Sequence, residues 1–355
     1  MDRLELWWVL AGIPGWGPRT ARQALRRFGS LEAAVEHGLR GLPSRADWLQ
    51  ERLDILRRTL DSGVWAMSCD SPEFPVGWHE LSDAPLVVFG RGVPFEQGSA
   101  GPAVAVVGTR RCAQEARRIG FELGQALGQR GITVVSGLAR GVDAAAHRGA
   151  CFAGQRTVGI LGGPVDAVQP QSSIAIADRM LELGGAVLSE HATGEAVQPW
   201  HFAARNRLVV GLSSALVLVQ SPARGGAMIS MQLALDQGVP CWVFRPEAPN
   251  PKGRWRGNLE ALEEFPDMGW STVDGLVDEL AGKMDALKEC AGEQGVPVAF
   301  RSTWKLLMAS RGLPLDSLML STGWNAERMR SQLRAMEMAG WVRRLPGEWY
   351  VPLRL

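Results

Sequence analysis

Residues 132–150 read ITVVSGLARGVDAAAHRGA, and this stretch decides the fold of the chain. An apolar, largely β-branched run ends at Ser136-Gly137, a turn follows at Arg140-Gly141, and VDAAAHRGA then starts a helical segment. β-Branched residues favour a strand, and glycine permits a tight turn. The stretch therefore predicts a strand, a loop and a helix in direct succession.

The same pattern recurs through the middle of the chain. Five more short apolar runs are bounded by glycine or proline, with helix-length segments between them: AVAVVG (103–108), TVGILGG (157–163), AVLSE (186–190), ALVLVQ (215–220) and PCWVF (240–244). Strands that are apolar on both faces and alternate with helices are typical of a parallel sheet covered on both sides. We predict an α/β protein with an extended Rossmann-like, doubly wound parallel sheet over residues 67–275.

The segment before the sheet predicts a small helical domain over residues 1–66. Within it, LAGIPGWGPRTARQAL (10–25) places Gly15 and Gly17 in a turn between one helix end and a helix that begins near Pro18. This resembles a helix-hairpin-helix motif, in which turn amides face a DNA phosphate. Gly15 and Gly17 are therefore candidate DNA contacts. An ordinary αα-hairpin that packs without binding DNA fits the same pattern, and this alternative stays open.

The C-terminal part divides into an acidic linker, 276–295, and a basic tail, 296–355. Residues 246–295 hold eleven acidic and five basic side chains, whereas 296–355 hold nine basic and four acidic ones. The tail reads as a short helix, a longer helix capped near Asn325 and ended by Gly340, and a β-hairpin that turns at Pro346-Gly347. This is the order of a winged helix. Its arginines suit either DNA contact or a protein-interaction role, and we take four as candidates: Arg330, Arg334, Arg343 and Arg344.

Composition excludes several classes of protein. No apolar run approaches the roughly 20 residues that span a bilayer, and the N-terminus lacks a secretory leader. The five cysteines form no C-x-x-C pair and the five histidines no H-x-x-x-H pair. We therefore expect a cytoplasmic protein with no membrane contact, no metal and no cofactor. Arginine outnumbers lysine 34 to 4, which suits phosphate recognition but also follows from GC-rich coding.

Candidate binding residues follow four of the predicted strands, and ligands gather at the carboxyl ends of parallel strands. Glycine lets backbone approach a ligand, helix N-termini offer amides, and arginine offers paired donors. We predict a polyanion groove lined by Gly108, Arg110, Ser136, Gly137, Arg140, Gly141, Arg205, Arg207, Arg224, Gly225 and Gly226. A shared anion is the economical explanation for Arg205 and Arg207, with Asn206 between them as support.

Asp143 and His147 have supporting roles in this prediction. Asp143 is near the start of its helix, where it caps the helix or pairs with an arginine, and His147 packs on the same face four residues later. Both follow Ser136 on the outgoing helix, which does not suggest a preformed catalytic triad. We predict no catalytic residue.

The motifs in this order resemble the DNA-processing protein A family, also called DprA or Smf. The resemblance rests on VVGTRRC, SGLARGVDAAAHRGA, GAVLSE, RNRLVVGLSSALVLVQ and GGAMISMQLAL, and covers nearly the whole chain. It implies a non-catalytic protein that binds and protects single-stranded DNA and loads the RecA recombinase onto it during natural transformation. It also implies a homodimer formed through the Rossmann domain. Carried over by motif, the DNA pocket comprises Arg110, Ser136, Gly137, Arg140, Gly141, Arg205, Arg207 and Gly226.

Three departures from the family pattern bear on DNA affinity. Gln169-Pro170 stands where the family tends to have Tyr-Pro, so a stacking aromatic is absent. Gly225-Gly226 replaces a Ser-Gly, and FRPEAPNPKG replaces a segment in which Pro-Gly is usual.

Two alternative functions remain open at this point. Nucleotide phosphoribohydrolases of the lysine-decarboxylase-like type carry a glutamate after the glycines that correspond to RGGAMISMQ, and none follows Gly226 here. Hydrolysis therefore has no evident carboxylate agent. A nucleotide-sensing protein with the same anion groove is the other alternative.

Overall fold

The computed structural model describes residues 1–79, 81–94, 102–247, 253–290, 300–310, 312–338, 341–345 and 347–352. Sixteen α-helices lie in these residues: α1 Arg3–Gly12, α2 Pro18–Phe28, α3 Leu31–Leu39, α4 Arg45–Asp61, α5 Val76–His79, α6 Gln114–Gln129, α7 Val142–Phe152, α8 Ile174–Glu182, α9 His201–Ala204, α10 Asn206–Gly211, α11 Gly226–Asp236, α12 Arg256–Glu264, α13 Val273–Cys290, α14 Arg301–Ala309, α15 Leu315–Thr322 and α16 Ala326–Met338.

Nine strands of the described residues form the main sheet, in the order β1-β2-β6-β5-β4-β3-β7-β8-β9. Their bounds are β1 Trp65–Ser68, β2 Val87–Gly92, β3 Ala103–Val107, β4 Thr133–Ser136, β5 Thr157–Ile160, β6 Ala186–Ser189, β7 Ala215–Leu218, β8 Cys241–Phe244 and β9 Gly269–Trp270. Strands β3 to β9 pair in parallel, and this confirms the predicted α/β class and doubly wound sheet.

Strand β3 shows why the predicted runs are apolar at every position. Ala103, Ala105 and Val107 pack into the hydrophobic core on one face of the sheet, while Val104 and Val106 pack into the core on the other. All five are buried. Because successive side chains of a strand point to opposite faces, a strand covered on both sides needs an apolar residue at each position.

The N-terminal helices are joined to the sheet through β1 and β2. These two antiparallel strands add to its β6 edge, whereas the sequence analysis predicts no strand before residue 103. The Trp8 ring of α1 meets Phe89 of β2 edge to face, with ring centroids 5.2 Å apart. Arg52 of α4 lies over Trp8, and the Trp8 indole donates a hydrogen bond to the Arg52 carbonyl (2.7 Å). The helical segment therefore shares one core with the sheet.

The predicted linker over 276–295 is corrected by the structure. Helix α13 runs from Val273 to Cys290, and its Leu276, Val277 and Leu280 are buried in the core that contains α6. The acidic residues that suggested a linker alternate with apolar ones at helical spacing. Residues 291–299 lie outside the described part of the chain.

The C-terminal segment is a winged helix, as predicted. Helices α14, α15 and α16 pack with a three-stranded sheet of order β10-β12-β11, formed by β10 Leu313–Pro314, β11 Val342–Leu345 and β12 Trp349–Pro352. The Asn325 side chain accepts a hydrogen bond from the Arg328 amide (2.9 Å), which confirms the predicted cap of α16. Gly340 and Pro346, where the helix end and the wing turn were placed, lie outside the described residues.

Within the described residues, no helix is both long enough and apolar enough to cross a membrane.

Because Leu280 is buried, truncation of its side chain tests whether α13 belongs to the core. We expect Leu280→Ala to lower the free energy of unfolding by about 2–5 kcal/mol, as for other buried leucines. Leu320→Ala is the matched control, since Leu320 is 86% exposed, and it should change that free energy by less than about 0.5 kcal/mol. Urea unfolding followed by circular dichroism measures both. Equal midpoints for the two variants would contradict the placement of α13.

Candidate functional site

A groove lies at the carboxyl ends of β3, β4 and β7. Strand β3 lies between β4 and β7 in the sheet. From β3 the chain continues to β4 and β5 in one direction along the sheet, whereas β7 and β8 extend the sheet in the opposite direction. Such a switch point is where open α/β sheets bind ligands. The groove has two parts, which we call the inner pocket, of about 430 Å³, and the outer cleft, of about 660 Å³. Both parts are lined by Arg110, Arg111, Gly137, Ala139, Phe202 and Arg205.

Nine of the predicted residues line one part of the groove or both. They are Gly108, Arg110, Gly137, Arg140, Asp143, Arg205, Asn206, Gly225 and Gly226. Ser136, Gly141, His147, Arg207 and Arg224 do not line it. The four predicted loops do meet at one sheet edge, but the structure gives their side chains different roles.

The loop between β4 and α7 is shaped by two glycines. Gly141 has φ +88°, a left-handed conformation, and a Cβ there would collide with the Thr109 carbonyl oxygen. A Cβ on Gly137 would collide with the Arg205 guanidinium. Both glycines therefore allow close packing of the neighbouring loops, and Gly141 acts through this packing rather than by lining the groove.

Arg205 contributes to the lining of the groove, but almost all of its side chain is buried beneath the surface. It is 5% exposed, and its guanidinium donates hydrogen bonds to the carbonyl oxygens of Gly137 (2.8 Å) and Ile160. Burial lowers the pKa of Arg205 to about 10, with the charge of Asp143 opposing this shift. The guanidinium therefore stays protonated near neutral pH and ties the end of β4 to the end of β5.

Asp143 binds the same loop as this buried arginine, and the charges of the two residues interact. Its carboxylate accepts a hydrogen bond from the Gly137 amide (3.2 Å), so it binds the loop before its own helix. Burial raises the pKa of Asp143, and the positive charge of Arg205 opposes the increase. Asp143 therefore holds the Gly137 loop and interacts with Arg205 through charge, while no direct ion pair joins the two in the described structure. Its buried carboxylate offers no acid–base role at the surface.

Arg207 corrects the prediction of an anion shared with Arg205. Its guanidinium binds both carboxylate oxygens of Glu190 at 2.7 Å and contacts Asp83 at 3.0 Å. Burial lowers the pKa of Arg207, but the hydrogen bonds and charges of Glu190 and Asp83 outweigh burial and raise it. Two carboxylates of the protein already neutralise this arginine, so it fixes the start of α10 and is not offered to a ligand.

Ser136 is also corrected. The sequence prediction made its hydroxyl a phosphate donor, but the buried hydroxyl donates to the Val106 carbonyl at 2.6 Å. A serine hydroxyl has one proton to donate. Ser136 therefore links β4 to β3 below the groove.

His147 packs inside the protein, as predicted. Thr157 donates its hydroxyl proton to the Val134 carbonyl (2.6 Å), so His147 Nδ1, 2.8 Å from Thr157 Oγ1, is the donor of that pair. The Nε2 atom is buried without a hydrogen-bond partner among the described residues. Burial, together with the positive charge of Arg205, lowers the pKa of His147 to about 3.

The charges that reach the groove surface come from four arginines. Arg110, Arg111, Arg140 and Arg254 are exposed and line the inner pocket, the outer cleft or both. The Arg110 guanidinium lies 5.4 Å from the centroid of the Phe202 ring. The sequence analysis did not name all of the lining residues, and the unnamed ones include Arg111, Arg254 and Phe202. The second arginine of VVGTRRC was a usable signal for Arg111, whereas Arg254 is brought in from a distant segment.

The fourth predicted loop leaves a helix start open to the outer cleft. Gly225 precedes α11 without a side-chain cap, and the position of a Cβ on Gly226 is open space. Asn206 donates a hydrogen bond to the Gly226 carbonyl (3.3 Å) and so steadies the loop. Arg224 is exposed but lies outside the lining.

The remaining candidates lie away from the groove lining. In the winged helix, Arg330 and Arg344 both pair with Glu348, at 3.0 and 3.2 Å, which reduces what they offer to a phosphate. Arg334 and Arg343 are exposed side chains of the same domain. Gly15 and Gly17 form the turn between α1 and α2, with open space where a Cβ would lie.

Comparison with known proteins shows the family to which this chain belongs. The sequence profile of the family described as DNA recombination-mediator protein A matches residues 65–276. The chain belongs to this family. The profile of the DprA winged helix domain matches residues 306–348, so the family's C-terminal domain is present as well.

Family relatives and solved structures agree with this assignment. The DNA processing protein DprA of Bacillus subtilis is 30% identical over 231 residues, which cover 64% of this chain and 74% of that protein. Protein Smf of Escherichia coli is 29% identical over 86% of this chain and 84% of its own length. The fold matches the structure of DprA from Streptococcus pneumoniae with a TM-score of 0.64, at 22% identity, over 79% of this chain and 99% of that one. It matches the Helicobacter pylori DNA processing protein A, which binds single-stranded DNA, with a TM-score of 0.55, at 24% identity, over 62% of this chain and 96% of that one.

The buried His147 predicts a specific acid sensitivity. The folded chain keeps this imidazole neutral down to pH about 3, while the unfolded chain protonates it near its ordinary pKa of 6.5. Its contribution to stability is therefore complete above pH 6.5 and is lost as the pH falls, by up to about 1.4 kcal/mol per pH unit. We expect His147→Asn, which keeps a donor for Thr157, to lose less stability than the wild type between pH 6.5 and 4.5. Chemical unfolding across this range measures it, and parallel pH profiles would contradict it.

Proposed function

We propose that the groove binds single-stranded DNA by its phosphates and does not react on it. One observation carries the proposal: four exposed arginines line the groove, and the one carboxylate among its described lining residues is the buried Asp143. Arginine binds phosphate oxygens in a paired geometry, and a groove with few exposed acids favours a polyanion. The open start of α11 adds backbone amides to the same surface.

The size and walls of the groove favour an unpaired strand over a duplex. The inner pocket of about 430 Å³ has apolar walls formed by Leu161, Val197 and Phe202 next to its arginines. Unpaired bases expose apolar faces that pack on such walls, whereas paired bases keep those faces inside the helix. The single-stranded DNA binding of the Helicobacter pylori protein, which has the same fold, supports this choice.

We also propose that the protein delivers the bound strand to RecA during natural transformation and that it works as a homodimer. The family description as a recombination mediator supports the first part. A mediator holds its strand without cleaving it, and the groove is consistent with this. Ser136, below the groove, donates its proton to the Val106 carbonyl, and the buried Asp143 carboxylate accepts from the Gly137 amide.

Charge reversal at Arg140 tests the phosphate groove. We expect Arg140→Glu to weaken binding of a labelled oligo-dT at least about tenfold and to flatten the dependence of affinity on salt, because fewer counterions are released. Arg148→Glu is the matched control, since Arg148 is also exposed but lies on α7 outside the groove lining. Fluorescence anisotropy over a salt series measures both variants. Equal loss of affinity in the two variants would overturn the groove assignment.

The mediator role is tested by RecA assembly. On oligo-dT precoated with a single-strand-binding protein, we expect the wild-type protein to accelerate formation of RecA filaments and Arg140→Glu to accelerate it much less, because it does not hold the strand. Fluorescence of labelled RecA reports filament growth. Acceleration by Arg140→Glu equal to that of the wild type would separate RecA delivery from the groove. No acceleration by either protein would contradict the mediator role and leave DNA binding intact.

A further inference from the structure

We propose that Trp200 is a stacking platform for an unpaired nucleobase at the rim of the groove. This inference rests on the proposed function, since it assumes that single-stranded DNA occupies the groove. It assigns base stacking to one aromatic ring at the rim, in addition to the phosphate contacts and the apolar pocket walls proposed above.

The exposure of Trp200 sets it apart from the other tryptophans. The chain has 14 tryptophans, all of which lie in the described residues, and Trp200 alone is exposed, at 65%. An exposed aromatic side chain is unremarkable by itself. The position of this one gives it meaning, because the residues on both sides of it line the groove. Pro199 lines the outer cleft, Val197 lines the inner pocket, and Phe202 lines both.

The Trp200 ring is held by a chain of contacts that leads into the protein. It meets the His201 ring edge to face, with centroids 4.1 Å apart and planes at 85°. His201 is buried and stacks on His191, also at 4.1 Å and with planes at 20°. His191 contacts Glu195 (3.0 Å), and Glu195 pairs with Arg52 of α4 (3.5 Å). A ring supported in this way needs little ordering when a base packs on its exposed surface.

The surroundings of Trp200 match those of a base-binding aromatic. Proteins that bind single strands combine a cationic groove with aromatic rings on which successive bases stack. Here Arg110 lies over Phe202, two residues from Trp200. Gln169 and Pro170 also line the inner pocket and carry no aromatic ring. Among the described lining residues and Trp200, aromatic surface therefore comes from Phe202 and Trp200.

The experiment compares two strands of equal length, oligo-dT and an abasic oligodeoxyribose phosphate, by fluorescence anisotropy with the full chain. We expect Trp200→Ala to weaken binding of oligo-dT about 5- to 150-fold, the range of one base–aromatic stack. Trp200→Phe should recover part of that loss. Neither variant should change binding of the abasic strand, because stacking needs a base. Phe152→Ala is the matched control: Phe152 is 71% exposed, at the far end of α7 and outside the groove lining. It should bind both strands like the wild type.

Each outcome bears on one of the two proposals. If Trp200→Ala binds oligo-dT like Phe152→Ala, or loses affinity equally for both strands, the stacking proposal is overturned. Arg140→Glu, measured in parallel, tests the phosphate groove separately. If Arg140→Glu loses affinity for oligo-dT and Trp200→Ala does not, only the stacking proposal is overturned. If Trp200→Ala loses affinity for oligo-dT but not for the abasic strand, and Arg140→Glu keeps the affinity of the wild type, the stacking proposal is supported and the phosphate groove is overturned.

Discussion

The buried interaction of Arg205 with Asp143 and the Gly137 loop is the constraint on which the groove depends. The guanidinium donates to the Gly137 and Ile160 carbonyls, and the Asp143 carboxylate accepts from the Gly137 amide. Hydrogen bonds and a nearby opposite charge offset the cost of removing a charge from water. The Nε atom of Arg205 has no hydrogen-bond partner among the described residues, so the two carbonyls and the charge of Asp143 supply that compensation. Burial shifts the pKa of both groups toward their neutral forms, and the opposite charge of the partner resists both shifts. The pair thus fixes the loop that carries Arg140 to the surface.

Much of the fold follows from the sequence because parallel strands buried on both faces need uninterrupted apolar runs. Six such runs became β3 to β8 with only small changes at their ends. The edge strands β1 and β2 escaped prediction because antiparallel edge pairing is set by the rest of the sheet and by Trp8 packing on Phe89. Helix α13 escaped because its acidic residues suggested a linker, although Leu276 and Leu280 are buried against the core.

The sequence predicted where the candidate site lies, but it did not predict which partners its side chains contact. Glycines and arginines after successive strands locate the carboxyl edge, since all parallel strands end on that side. The sequence does not distinguish an arginine that faces solvent from one that is paired inside. Arg207 meets Glu190 and Asp83, which are 17 and 124 residues away along the chain. Ser136 is directed to the Val106 carbonyl by the pairing of β4 with β3. Such partners are set by tertiary structure, and only the folded chain reveals them.

The division between buried and exposed arginines also explains how one groove can bind a strand of any sequence. Arg205 and Arg207 have fixed partners and keep the loops in place whether or not DNA is present. Arg110, Arg111 and Arg140 are exposed on flexible side chains and can follow phosphates whose spacing varies along an unpaired strand. Phosphate contacts carry no base information, and stacking on an indole is tolerant of base identity. A rigid floor, adjustable charges and an exposed aromatic ring therefore suit the proposed binding of single-stranded DNA, which does not depend on base sequence.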